Sequence, residues 1–128
     1  MKNLIRMWWM VGMLLMLPGV QAEEQKLSVK MMVPDATWRL SIDEVVQVEE
    51  ALWVVASLSQ VDGMMGIQVI STVEAEQLIE ASDLPVKIFV VGKTWAWKNE
   101  EPYTFLETRA SIAESLSLGV RIFSRDGD

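Results

Sequence analysis

Trp95 and Trp97 stand two apart just before the polar run Lys98–Pro102, and Tyr103 and Phe105 repeat that spacing just after it. On a strand, residues two apart point to the same face. If 92–97 and 103–106 pair as a hairpin, four aromatic side chains share one surface, with an acidic, proline-bounded loop at its tip. Trp and Tyr are enriched among interface residues that dominate binding energy, and loops held on a rigid scaffold commonly carry recognition. The expected binding surface is therefore Trp95, Trp97, Asn99, Glu100, Glu101 and Tyr103. The competing expectation is that the aromatics fill the core, as large rings usually do, and that the loop is merely solvated. Between the two, Trp95 belongs at the edge of the core and Trp97 nearer the loop, partly exposed.

Other groups offer less chemistry. Glu49-Glu50, Glu74/Glu76 and Glu100-Glu101 are paired carboxylates, but adjacent strand residues diverge, and none has the Asp/Asn/Gly spacing of a calcium loop. They are expected to be surface charge. Met31-Met32 and Met64-Met65 lack the histidine or repeated methionine spacing that a soft copper site uses, and packing explains them. Gly92-Lys93-Thr94 follows a strong strand signal, yet Lys87 stands where a phosphate loop needs its first glycine, and Trp-Ala-Trp follows where a helix should start. The chain has neither histidine nor cysteine. The usual general base and metal ligand are thus absent, as is the strongest nucleophile. No catalytic residue, metal ligand or cofactor is expected, and the chain does not read as an enzyme.

The elements that must hold this surface follow a leader. Lys2 and Arg6 precede an apolar run from Met7 to Leu17, Pro18-Gly19 breaks it, and Val20-Gln21-Ala22 provides small residues at the −3 and −1 positions. This is the secretory pattern, and the run is too short for a spanning helix of about 20 residues. Cleavage after Ala22 would leave nine basic and eighteen acidic residues, a formal charge of −9 against −7 for the whole chain. Such a field disfavours nucleic acid and anionic lipid surfaces. A single extracytoplasmic domain, 23–128, is expected in the periplasm or medium, with no disulfide and no membrane span after cleavage.

Along that domain, 23–26 reads as a polar leader and Leu27–Val33 as a half-buried strand, with Leu27, Val29, Met31 and Val33 on one side. Trp38–Ile42 alternates likewise. Residues 41–58 admit two readings. Ser41 and Glu44 form a capping box for a helix, whereas Val45, Val46, Val48, Val54 and Val55 favour two strands around Glu49-Glu50-Ala51; the hairpin is the preferred reading. Asp62–Gly66 reads as a turn and Ile67–Val73 as a strand. Glu74–Ala81 either extends that strand or forms a short helix. Val86–Val91 reads as a buried strand continuing to Trp97, and Tyr103–Leu106 starts another. Ser111 caps a short helix that Gly119 stops, and Val120–Phe123 closes the set. The predicted fold is mainly β: a single-domain antiparallel sandwich or partly open barrel with one or two short helices, the alternative being α+β with a helix at 41–58.

Together these readings predict an exported, non-enzymatic protein that binds another envelope or secreted protein, inhibition of an enzyme being one form of that. A structural subunit of an envelope assembly and a small-ligand carrier are the alternatives.

Overall fold

The computed structural model describes residues 23–61 and 69–125. The leader at 1–22 and the turn at 62–66 lie outside those residues. The described chain is mainly β and forms two packed sheets, without a closed barrel. One sheet is a long antiparallel pair, β1 (Glu23–Val33) with β4 (Ser71–Ala81). The other has five strands in the order β6 (Thr104–Leu106), β5 (Val86–Val91), β3 (Ala51–Gln60), β2 (Trp38–Val48) and β7 (Val120–Ser124). A 3₁₀ turn at Arg109–Ile112 runs into a short helix, α1 (Ala113–Ser117).

The strict alternation of β1 buries Leu27, Val29, Met31 and Val33 between the sheets. There they meet Ile42, Val45, Leu52, Val54, Ala56 and Leu58 of the β2–β3 hairpin. The opposite face of that hairpin is also covered: Val46, Val48 and Val55 pack under Ile112 and Leu116. Burial on both faces is why 52–56 is a continuous apolar run and why Val45 and Val46, on opposite faces of β2, are both buried. The hairpin is thus the element formed at 41–58. Glu49-Glu50 makes its turn, with Glu49 at φ 54°. A bulge between Ile42 and Glu44 turns the Asp43 carboxylate towards Arg125, 2.9 Å away.

Several expectations need correction. Residues 23–26 are the first rungs of β1, paired with 78–81, and the Gln25 amide donates to the Ala81 and Ser82 carbonyls. Of the two readings of Glu74–Ala81, the strand extension is the one formed, despite the helix-favouring composition, because alternation places Ala75, Ile79 and Ala81 on the sandwich face. Residues 69–70 precede the strand and are not part of it. Ser111 caps nothing; Ile112 occupies the position before α1 and makes no side-chain cap bond. The five-stranded sheet is mixed: β5 runs parallel to both β3 and β6. Strand β5 stops at Val91, and 92–97 is not a strand, so no antiparallel hairpin joins it to 103–106.

Candidate binding surface

Parallel pairing of β5 with β6 obliges the chain to leave the end of β5 and return to a point beside Phe89, the partner of Thr104. The excursion is residues 92–103. It begins at Gly92, whose φ of +106° is a conformation open to glycine. A Cβ there would also stand 2.6 Å from the Leu58 carbonyl oxygen.

The excursion crosses the outer edge of β1 and replaces a neighbouring strand with side chains. The Tyr103 hydroxyl accepts from the Lys30 N–H (3.1 Å) and donates to the Lys30 carbonyl (2.9 Å). The Glu101 carboxylate accepts from the Met32 N–H (2.9 Å), and the Asn99 amide donates to the Met32 carbonyl (2.9 Å). Asn99 ties the cap together. Its Nδ2 also donates to Glu101 (2.9 Å), and its Oδ1 accepts the Trp95 indole N–H (2.9 Å). At 6% exposure, Asn99 is a buried polar side chain with donor and acceptor both engaged. Burial pushes the Glu101 carboxyl up, but hydrogen bonds from Asn99 and the Met32 N–H outweigh it and hold the group below its ordinary value.

The indoles form a graded stack. Trp38 is buried with Met31, Val33, Leu58 and Val90. Trp95 meets it edge-on at 5.1 Å between ring centres, and Trp97 lies 5.5 Å further out, 38% exposed. The Lys93 ammonium sits over Trp95 (5.7 Å) and Phe105 (5.5 Å), a favourable arrangement for a cation on an aromatic face. Met32, with its side chain outward, lies near Trp97, and a shallow cavity of about 240 Å³ between them is bordered by Lys98, Asn99, Glu100 and Glu101.

Of the six residues named from the sequence, Trp97 and Glu100 face solvent. Trp95 is half-buried at the rim of the core, while Asn99, Glu101 and Tyr103 hold the edge of β1. The four aromatics do not share one strand face; Tyr103 and Phe105 are 6.4 Å apart on the β6 side. Sequence reasoning passed over Met32 as a surface residue, although its place opposite the inward phase of β1 marks it as outward.

A second concavity, about 380 Å³, lies on the far face of the five-stranded sheet and contains Arg109, Arg121 and Arg125. Its charges are answered within the chain: Arg109 chelates Glu44, and Arg125 bonds Asp43 and Ser41. The Glu44 hydrogen bond raises Arg109 above its already high ordinary value. Among the described residues, no cluster of acidic side chains is arranged to hold a metal ion, and no helix is long and apolar enough to cross a membrane. No family model, curated protein or solved structure matches the chain.

Proposed function

We propose that the chain is an exported, non-catalytic binding domain that engages another envelope or secreted protein through the Trp97 face, inhibition being one form of that engagement. The observation that carries this reading is the clamped loop. Buried hydrogen bonds through Asn99 fix an excursion whose outermost ring, Trp97, stands beside exposed Met32. A pre-ordered aromatic anchor loses little conformational freedom on binding. The cavity at the loop falls below the roughly 300–1,000 Å³ of usual small-molecule sites, which favours a protein partner over a small ligand at the Trp97 face itself.

Export is tested by the mass of the protein recovered outside the cytoplasm, expected to begin at Glu23; full-length chain held in the membrane fraction contradicts it. Binding is tested with a photo-reactive residue at position 97 and, as control, at exposed Lys87. A defined protein adduct from position 97 alone supports the reading. Identical adducts from both positions, or none, overturn it.

A further inference from the structure

Four strand edges border the two sheets, and the chain treats them differently. Edge strand β6 is three residues long. Edge strand β7 is five residues long, and its register against β2 is broken by a shift between Val45 and Val46. Short and bulged edges resist pairing with another chain. The edge of β1 is occupied at Lys30 and Met32 by Tyr103, Asn99 and Glu101, and among the described residues its first half, Glu24 to Ser28, has no such cover. Among the described residues, strand β4 has none of these protections. It is eleven residues long and pairs with β1 without a single register shift. Usual strands run about 5–6 residues.

The groups on that edge follow from the pairing. Lys30 and Met32 turn N–H and C=O away from β4, so each sits in a non-hydrogen-bonded pair of the antiparallel ladder. Their partners are Glu74 and Thr72. By alternation, Thr72, Glu74, Glu76, Leu78 and Glu80 all turn N–H and C=O outward. Among the described residues these groups meet no backbone partner; the Leu78 carbonyl receives the Gln77 side-chain amide.

The layer is also incomplete beneath that edge. The inward residues of β1 from Leu27 onwards are fully buried, but Val73, Ala75 and Gln77 of β4 are only half-buried. A groove of about 370 Å³ opens between β4 and β7, floored by Ile122 and Phe123 and bordered by Leu78, Ile79 and Glu80 with Glu24 of β1. Above it, the solvent face of β4 carries Glu74, Glu76 and Glu80. Lys26 approaches Glu76 (3.5 Å) and Ser28 donates to Glu74 (2.9 Å), while Glu80 lies opposite Glu24.

We infer that the β4 edge is an acceptor for an added strand, distinct from the Trp97 face. Its occupant is an extended segment of a partner protein that alternates apolar residues with lysine or arginine. Backbone groups of Thr72 to Glu80 supply the ladder, apolar side chains cover Ile122 and Phe123, and the basic side chains face the glutamates. Pairing of this kind draws affinity from the main chain and specificity from alternate side chains. A second copy of this chain is a poor occupant, because antiparallel β4–β4 pairing centred on Glu76 sets that carboxylate opposite itself.

The probe is a labelled nine-residue peptide alternating lysine and valine, compared with its glutamate–valine counterpart and with a block peptide of the same lysine–valine composition. Binding is read by anisotropy, and its position by amide exchange of the purified protein. The alternating lysine peptide is expected to bind at least about tenfold tighter than the other two and to slow exchange at Thr72, Glu74, Glu76, Leu78 and Glu80. Leu78→Pro removes an outward N–H that makes no bond among the described residues, so it abolishes binding while the fold persists. Glu74→Lys/Glu80→Lys shifts preference to the glutamate peptide, and Trp97→Ala leaves binding unchanged. Equal binding of alternating and block peptides overturns the proposal, as does protection at β7 in place of β4. Protein-concentration-dependent protection of β4 without peptide also overturns it, by making a second copy the occupant.

Discussion

Replacing Asn99 with alanine removes the residue that joins the aromatic stack, the acidic loop and the edge of β1. Three hydrogen bonds go with it: one from the Trp95 indole, one to the Met32 carbonyl and one to the Glu101 carboxylate. Neutral bonds contribute about 1 kcal/mol each and a bond to a charged group about 1.5–3 kcal/mol. Met32 and Glu101 can regain water, so the expected loss is about 3 kcal/mol rather than the full sum. Urea unfolding followed by tryptophan fluorescence measures it, with amide exchange as the local readout. Lys30 and Met32 should lose protection even where the rest of β1 keeps it. Asn99→Asp preserves the acceptor for Trp95 but sets a carboxylate against the Glu101 carboxylate and the Met32 carbonyl. It is expected to be worse than alanine at pH 7 and to approach it in acid. A loss under about 1 kcal/mol for Asn99→Ala, with exchange at Lys30 and Met32 unchanged, would refute the clamp.

Glu101 gives the clamp a pH dependence. Its folded pKa lies below the ordinary 4.5, so its contribution is complete above that value and disappears as pH falls through the folded one. Glu101→Gln should therefore be less stable than the parent by about 1–2 kcal/mol at pH 7, and the gap should close in acid as Glu101 protonates, at a pH below its ordinary value. Gly92→Ala should cost about 2–3 kcal/mol in denaturant unfolding, from the positive φ and the approach to the Leu58 carbonyl. Phe89→Ala should cost about 3–5 kcal/mol, since Phe89 is 7% exposed and stacked on Trp53 at 4.7 Å; a loss under about 1 kcal/mol would misplace the core.

Strand β1 is the most legible element in the sequence because only one of its faces is buried, and strict alternation records that. The β2–β3 hairpin is ambiguous for the opposite reason. Both faces are covered, so the apolar run loses its period, and the Asp43 bulge breaks what alternation remains. Residues 74–81 carry helix-favouring side chains, and pairing with β1 together with burial of Ile79 and Ala81 between the sheets overrides that preference. Trp95 and Trp97 look like strand neighbours until Gly92 turns the chain out of the sheet. The roles of Asn99, Glu101 and Tyr103 leave no local signal. Tyr103 meets Lys30 across 73 residues of sequence, and a phenol hydroxyl that completes a strand edge cannot be told from any other tyrosine hydroxyl without that juxtaposition.

The contrast between the two edges of the β1–β4 sheet can be measured without a partner. Native-state amide exchange on the protein alone compares Lys30 and Met32, whose N–H groups are held by Tyr103 and Glu101, with Thr72, Glu74, Glu76, Leu78 and Glu80. A capped edge and an open edge predict exchange at the β4 amides at least about tenfold faster than at Lys30 and Met32, after correction for intrinsic rates. Protection at the β4 amides equal to that at Lys30 and Met32 would contradict the account.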